Sequence, residues 1–333
     1  MHAMKPLEVL MPWAGAISLQ TVHVVAALGA ALFTQAGCPV GGGGGGGNNH
    51  STDPCIGSAQ DLRSACRDDA RAERSIALAN CHHVTDPLAR TACMEQAALA
   101  LDDALAECGE HYDARIDVCD RLSASLYDPL IDPLDFVGII DNPYMPLLPG
   151  TTRVYEGQTA EGLEHIEYEI THNTKVILGV TCIEVHDVVS IGGLVVEDTL
   201  DWFAQDTAGN VWYFGENSRD IEDGLIASLE GSWIAGVDGA KPGIAMHALP
   251  TIGVLYRQEF AQGIAEDLAS VTAIGLAITV PTGSYINCLQ TEDFTPMDPE
   301  HIENKFYAPG VGSIREVNIQ SGEFVELIEI IVE

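Results

Sequence analysis

The apolar and polar positions divide the chain into regions with different patterns. A mostly apolar stretch runs from Val9 to Phe33. Residues 52–125 are rich in Ala, Arg, Glu, Asp and Leu, which favour helix. From Asp141 onward, short blocks of β-branched and aromatic residues alternate with turn signals such as Ile191-Gly192-Gly193, a pattern typical of strands. The pattern therefore predicts an apolar leader, a helical segment and a β domain.

The β blocks follow one another too closely for helical crossovers. They span residues 152–156, 164–171, 175–189, 194–204, 211–215, 225–233, 255–261, 269–280, 285–291, 301–307, 313–319 and 323–332. Parallel strands need crossover connections of a dozen or more residues, so we expect an antiparallel meander at 151–333, curled into a half-barrel or barrel. Residues 126–150 form a Pro-rich bridge. The predicted fold class is α+β.

Six cysteines in the helical segment have a mirrored spacing. They stand at positions 55, 66, 81, 93, 108 and 119, symmetric about Pro87, and Asp86-Pro87 is a typical helix start. An antiparallel helical hairpin at 52–125 would pair Cys55 with Cys119, Cys66 with Cys108 and Cys81 with Cys93. Disulfides require Cα atoms within about 7 Å, closer than the usual 8–10 Å between helix axes, so the facing residues must be small.

The two remaining cysteines of the β domain are Cys182 and Cys288. The hairpin disulfides require an oxidising compartment. In such a compartment we expect Cys182 and Cys288 to form a fourth bridge.

The charge balance limits the partners. The chain has 49 acidic and 15 basic side chains among 333 residues, a net charge of −34. Such a surface repels phosphate backbones, so we expect no nucleic-acid partner. An apolar content of 47% is sufficient for a buried core.

The amino terminus predicts export. Lys5 and the apolar stretch are typical of a signal peptide at 1–37, and Gln35-Ala36-Gly37-Cys38 resembles a bacterial lipobox. That resemblance implies a lipid on Cys38, a membrane partner and an address in the bacterial cell envelope. Residues 38–51 contain the run Gly41–Gly47 and predict a flexible tether. The alternatives are a secretory signal cleaved nearby and an uncleaved membrane anchor.

Several strings in the second half of the chain are similar to a family of secreted bacterial proteins of unassigned function. The strings are Asp141–Leu147 with Pro149-Gly150, Asp201–Asp206, Gly209–Glu216 and Phe306–Gly312. The resemblance covers roughly residues 135–333. It implies a β domain and export, and it brings no activity with it.

A charged group is one candidate site. Arg257 and Glu259 stand two apart on one predicted strand and so share a face. With Glu266, Asp267 and Glu303 nearby, we expect structural ion pairing on a solvated sheet face. The alternative is a buried charged cluster inside the barrel, a ligand or catalytic site, where Arg257 would hold carboxylates by charge-assisted hydrogen bonds.

Aromatic residues are a second candidate. Trp202 and Trp212 flank the turn Asp206–Asn210. They and their neighbours predict cross-strand aromatic pairs in the core, or else an aromatic-lined pocket for an apolar or glycan ligand. His186 and His247 complete the set of ligand-binding candidates.

No known catalytic or cofactor motif is present. The sequence lacks GxSxG, HExxH and a nucleotide-binding glycine loop after a strand, so we expect neither a cofactor nor a metal. The best-supported function is an envelope lipoprotein whose β domain binds an apolar or glycan ligand, or an envelope protein. The alternatives are an extracellular hydrolase using carboxylates with His186 or His247, and a purely structural envelope component.

Overall fold

The computed structural model describes Ser51, residues 53–122 and residues 126–333. The predicted signal peptide, the lipidation site at Cys38 and nearly all of the tether lie outside the described residues. Two helices precede a large antiparallel sheet that is nearly closed into a barrel. The predicted α+β architecture is confirmed.

Helices α1 (Pro54–Cys81) and α2 (Pro87–Arg121) both begin with an aspartate cap followed by proline. Asp53 Oδ1 accepts hydrogen bonds from the backbone N–H groups of Cys55 (2.9 Å) and Ile56 (3.2 Å). Asp86 Oδ2 accepts one from Ala89 (2.7 Å). These carboxylates satisfy donors that the first helical turn leaves open. Neither of the described helices is long and apolar enough to cross a membrane.

The predicted disulfide ladder is confirmed. The bridges Cys55–Cys119, Cys66–Cys108 and Cys81–Cys93 have Cα–Cα distances of 5.8, 5.8 and 5.7 Å. Small side chains allow this approach, and Ala59, Ala70 and Ala97 are buried between the helices. The three disulfides therefore stabilise a hairpin whose own apolar core is small.

The rest of the chain consists of short and long strands after a 3-10 helix at Pro133–Asp135. The strands are β1 (Phe136–Val137), β2 (Ile140–Asn142), β3 (Met145–Leu147), β4 (Thr151–Gln158), β5 (Leu163–Ile177), β6 (Val180–Ile191), β7 (Leu194–Asp206), β8 (Val211–Asn217), β9 (Asp220–Glu222), β10 (Leu225–Ser228), β11 (Trp233–Ile234), β12 (Lys241–Met246), β13 (Leu255–Arg257), β14 (Glu259–Phe260), β15 (Leu268–Val280), β16 (Gly283–Thr295), β17 (Asp298–Ala308), β18 (Gly312–Asn318) and β19 (Phe324–Val332).

The sheet curls because its last strand pairs with its first long one. Strands β4 to β8 pair in sequence, β8 pairs with β12, β12 with β14, β13 with β15, and β15 to β19 again in sequence. Strand β19 then pairs with β4, with Leu327 opposite Tyr155. Along β6, the residues Ile183, Val185 and Val189 are buried, and they alternate with partly exposed neighbours. This alternation is typical of a barrel wall.

Two features of the strand pattern differ from the prediction. The predicted block 175–189 is the end of β5, a turn and the start of β6. Both turn residues, Leu178 and Gly179, have positive φ (51° and 82°), the geometry that tight hairpins favour. A leucine rarely adopts positive φ, so the sequence does not signal this turn. Strand β12 was missed because Pro242 and Gly243 are unfavourable in strands.

The predicted aromatic pairing is confirmed for one pair. Phe203 on β7 lies opposite Tyr213 on β8, and their rings stack at 4.6 Å. Trp233 meets Tyr213 edge-on at 5.4 Å. These rings form part of the hydrophobic core of the β domain.

The predicted Cys182–Cys288 bridge is wrong. Both cysteines are buried free thiols. Cys182 lies on β6 and Cys288 on β16, and five strands (β17, β18, β19, β4 and β5) stand between them in the sheet. Disulfide bonding needs Cβ atoms about 4 Å apart, which this separation does not provide. Burial raises the pKa of the Cys182 thiol to about 12.

Alkylation under native conditions should therefore leave Cys182 and Cys288 unmodified, because both thiols are buried and protonated. After denaturation without reduction, both should react, while the six hairpin cysteines remain in their mirrored pairs. Non-reducing peptide mapping by mass spectrometry measures each outcome. A peptide that links Cys182 to Cys288 would contradict the structure.

Candidate functional site

The interior of the barrel contains a cluster of acidic side chains, here called the interior acid cluster. Every member is at most 8% exposed. Its members among the described residues are Glu164, Asp187, Glu197, Asp201, Glu216, Glu259, Asp267, Asp293, Glu303 and Glu316. Buried carboxyl groups are rare unless they are paired or protonated, so the cluster must be compensated from within.

Lys305 of β17 provides the central compensation. Its Nζ lies 3.5 Å from Glu303 Oε2 and 3.8 Å from Glu316 Oε2. Burial would lower the pKa of Lys305, but the carboxylates of Glu316 and Glu303 outweigh it and the pKa is raised. The pKa of Glu303 is lowered despite burial, because Lys305 and His301 stabilise its charge. His301 Nε2 lies 3.3 Å from Glu303 Oε1.

Burial raises the pKa of other carboxyl groups in the cluster, because it disfavours the charged form. Burial, with the charges of Glu316 and Glu303, raises the pKa of Glu164 to about 9. Burial raises the pKa of Glu197 to about 7, against the effect of a hydrogen bond from Thr199. No described side chain hydrogen-bonds either carboxyl oxygen of Glu164. The barrel interior is thus a polar, largely protonated core around one lysine.

Arg257 and Glu259 do not share a face, which corrects the prediction. The backbone N–H groups of Gln258 and Glu259 both point at the carbonyl of Asp267 (2.8 and 3.3 Å). Two residues opposite one form a β-bulge, which shifts the alternation of side chains by one position. Glu259 is therefore buried in the interior acid cluster, and Arg257 packs outside the wall against Tyr127 and Phe260.

The other predicted members of this charged group are divided in the same way. Asp267 and Glu303 lie in the interior with Glu259. Glu266 faces the hairpin and forms a bidentate ion pair with Arg115 of α2, at 2.8 and 2.9 Å. The expected pairing on a solvated face is therefore wrong for Glu259, Asp267 and Glu303, which are buried, and the cation beside Glu303 is Lys305 and not Arg257.

Both candidate histidines make their contacts with residues other than Glu259 and Arg257. His186 Nε2 is 3.1 Å from Asp198 Oδ1, on a partly exposed part of β6. His247 packs edge-on against Tyr256 at 4.5 Å, and burial lowers its pKa. The contact of either histidine with Arg257 or Glu259 that would favour a hydrolase is absent among the described residues, and the carboxylate beside His186 is that of Asp198.

A pocket of about 560 Å³ opens beside β7 and β11, here called the tryptophan pocket. Its apolar wall consists of Leu200, Trp202, Trp233, Ile234, Val237 and Ile264. Polar groups from Lys175, Glu216 and Gln262 also line it. The volume and the mixture of aromatic and polar groups are typical of small-molecule sites.

Local contacts fix both tryptophans. Trp202 Nε1 donates to Glu184 Oε2 (3.3 Å), and Lys175 Nζ lies 3.4 Å from the centre of the Trp202 ring. Trp233 sits on β11, which pairs with β8 close to Gly215. A Cβ on Gly215 would lie 2.5 Å from the carbonyl oxygen of Trp233, so only glycine allows β11 to approach.

The second candidate tryptophan is elsewhere. Trp212 Nε1 donates to Asp206 Oδ2 (2.8 Å), and the ring meets Phe136 edge-on. It therefore holds the β7–β8 turn and the Pro-rich bridge together, outside the tryptophan pocket. Sequence reasoning missed Trp233 and Lys175 as pocket residues, since the strands that carry them, β11 and β5, are distant in sequence.

The described residues contain no group of three or more His, Cys, Asp or Glu side chains arranged to hold a metal ion. The interior acid cluster is spread around the barrel wall, with Lys305 at the position where a cation would be favoured. The tryptophan pocket and the interior acid cluster share Glu216, so the pocket lies beside a polar core.

Comparison with known proteins gives little further information. No family model matches the chain, and no curated protein matches it. A crystal structure of a "putative lipoprotein" from Parabacteroides distasonis is similar, with 14% identity and a TM-score of 0.31 over 56% of this chain and 97% of that chain. Similarity at this level carries no conclusion about function.

The interior acid cluster predicts stability that falls as pH rises. The folded state holds the Glu164 proton up to a pKa of about 9, whereas the ordinary pKa of a glutamate in an unfolded chain is about 4.5. Above about pH 4.5 the unfolded chain loses this proton first, so unfolding becomes more favourable with each pH step. Glu164→Gln removes the titration and should stabilise the protein at pH 8 by about 2 kcal/mol or more.

Urea unfolding of both proteins at pH 5 and pH 8 measures this effect. At pH 5 the variant should match the wild type closely. Glu167→Gln, at an exposed position on the same strand, is the control and should change little at either pH. Equal stabilisation by Glu164→Gln at both pH values would show that the gain is not electrostatic.

Proposed function

We propose that this chain is an exported, lipid-anchored envelope protein whose barrel binds a small ligand in the tryptophan pocket. The observation that carries the proposal is the pairing of Trp202 and Trp233 in one pocket with polar groups at its edge. The ligand has an apolar face and a polar rim, a description that fits a sugar residue.

Two features support export. The hairpin contains three disulfides, and such bonds persist in oxidising compartments outside the cytosol. The amino-terminal sequence, with its apolar stretch and the lipobox-like residues before Cys38, is typical of exported lipoproteins.

The composition of the pocket supports a ligand with both apolar and polar surfaces. Trp202 and Trp233 contribute apolar surface to the pocket wall, and contacts already hold their rings: Trp202 donates a hydrogen bond to Glu184, and Trp233 packs edge-on against Tyr213. Little conformational entropy is then lost on binding. Asn217, Ser232 and Gln262 supply neutral hydrogen-bonding groups at the same pocket, suited to hydroxyl groups.

The binding proposal is tested with Ile264→Asp, which places a charge on the apolar wall. Ile264 is 45% exposed, so the variant should still fold. Titrations use N-acetylglucosamine oligomers as the glycan probe and 1-anilinonaphthalene-8-sulfonate as the apolar probe, followed by tryptophan and probe fluorescence. We expect saturable binding to the wild type and about tenfold weaker binding to the variant, as loss of an apolar contact and burial of a charge predict.

Ile252→Asp is the matched control. Ile252 is 59% exposed and lies outside the lining of the tryptophan pocket. It should bind each probe like the wild type. Saturation by the apolar probe alone would replace the glycan assignment with an apolar one. If neither probe binds, or if both variants bind equally, the pocket is not the site.

The anchor is tested separately with Cys38→Ser in the full-length chain. The thiol of Cys38 is the acceptor that a lipobox implies, so the serine variant should leave the membrane fraction. Fractionation of expressing bacteria and intact-mass analysis of the mature protein measure this. A wild-type mass without added acyl groups would contradict lipid anchoring and leave the pocket experiment unaffected.

A further inference from the structure

A second cavity lies where the helical hairpin meets the barrel, here called the junction crevice. Its volume is about 210 Å³. The start of α1 and the end of α2 form one wall, through Pro54, Ser58 and Val118, and β13 and β14 form the other. The crevice adjoins the tryptophan pocket, since Gly239 and Gln262 line both cavities.

Basic side chains converge on the junction crevice, although acidic residues far outnumber basic ones in this chain. Arg115, Lys241 and Arg257 all line it. Arg115 is neutralised by Glu266 in a bidentate pair, and Lys241 Nζ lies 2.7 Å from Asp128 Oδ1. These two pairs leave one positive charge in excess, that of Arg257.

The guanidinium of Arg257 is held in place by aromatic rings, and its acidic neighbour Glu266, which is already paired with Arg115, acts on it only at longer range. It packs 4.8 Å from the centre of the Phe260 ring and 5.7 Å from that of Tyr127. Those two rings contact each other at 5.1 Å, and the Tyr127 hydroxyl donates to the carbonyl of Pro242. Among the described residues, none accepts a hydrogen bond from Arg257, and none places a carboxylate within 4 Å of it.

This arrangement has a specific chemical consequence. Stacking on aromatic rings fixes the plane of a guanidinium while leaving its N–H edge free. That edge matches two oxygens of a carboxylate or a phosphate. The net charge of −34 repels anions at long range, so any anion bound here must be held by short contacts and not by the general field.

We propose that the junction crevice binds a small oxyanion, of the carboxylate or phosphate type, through the free edge of Arg257. Lys241 and Arg115 stand on the same crevice, each paired with a carboxylate, so the excess positive charge there is that of Arg257. The cavity is large enough for a single small group of this kind. The site is separate from the tryptophan pocket, and its existence does not require a ligand there.

The test uses the folded full-length mature chain and isothermal titration calorimetry. Inorganic phosphate and acetate are titrated in two arms, each against sodium chloride at equal ionic strength. We expect saturable binding of at least one oxyanion to the wild type. Binding to Arg257→Gln should be about tenfold weaker or more, because two charge-assisted hydrogen bonds are lost. The arm that saturates identifies the chemical type.

Arg121→Gln is the matched control. Arg121 also packs on an aromatic ring, that of Phe294, but it has an acidic partner in Asp117 and does not line the crevice. It should bind like the wild type. Arg257→Lys keeps the charge and loses the planar edge, so it should bind with intermediate affinity, and it replaces Arg257→Gln if circular dichroism shows that the latter is unfolded.

Three outcomes would overturn the proposal. In the first, the wild type binds neither oxyanion beyond the chloride baseline. In the second, a folded Arg257→Gln binds as tightly as the wild type. In the third, Arg121→Gln weakens binding as much as Arg257→Gln, which shows a general charge effect and no defined site.

Discussion

The ion pairs of Lys305 with Glu303 and Glu316 make the interior of this barrel possible. The barrel has more strands than an apolar core can easily fill, and a wide barrel tends to enclose polar side chains or ligands. Transfer of one lysine into that space is costly unless carboxylates surround it. Once Lys305 is satisfied, the remaining carboxyl groups can be buried only as protonated acids, as the raised pKa values of Glu164 and Glu197 indicate. The polar core is therefore a consequence of the architecture.

The interior acid cluster and the tryptophan pocket meet at Glu216. This residue lines the pocket, and its carboxyl group accepts a hydrogen bond from the Tyr213 hydroxyl at 3.2 Å, as Asp201 does at 2.7 Å. Burial raises the pKa of Glu216 well above its usual value, with further contributions from Glu259 and Asp201. A protonated carboxyl can donate a hydrogen bond to a neutral ligand. The protonation state of Glu216, and with it the hydrogen bond that this residue can offer a ligand, therefore depends on the burial and the charges of the barrel core.

Sequence patterns predicted the hairpin better than the barrel interior, for physical reasons. The mirrored cysteines and the Asp86-Pro87 cap are local signals, and each acts within the hairpin that it defines. The placement of Arg257 and Glu259 depends on a bulge opposite Asp267, which no residue type requires. Lys305 could not be identified as the interior cation, because β17 has polar residues on both faces and alternation alone does not say which face is buried. The pairing of Cys182 with Cys288 failed because it depended on strand order, which composition does not determine.

The distribution of cations connects these parts of the molecule. Basic residues are few in this chain. The following ones, which are buried or partly buried, each have an identifiable structural role. Lys305 balances the core, Lys175 covers the ring of Trp202, and Arg115 and Lys241 fasten the hairpin and the bridge to the barrel through Glu266 and Asp128. In each of these cases a carboxylate lies close to the cation. Arg257 differs, since Glu266 acts on it only at longer range, and aromatic rings and a partly open cavity surround its guanidinium. Arg153 is more deeply buried and also has no ion pair among the described residues, but its guanidinium donates a hydrogen bond to the carbonyl of Pro146. Arg257 has no such acceptor among the described residues, and an oxyanion from outside the chain would supply one.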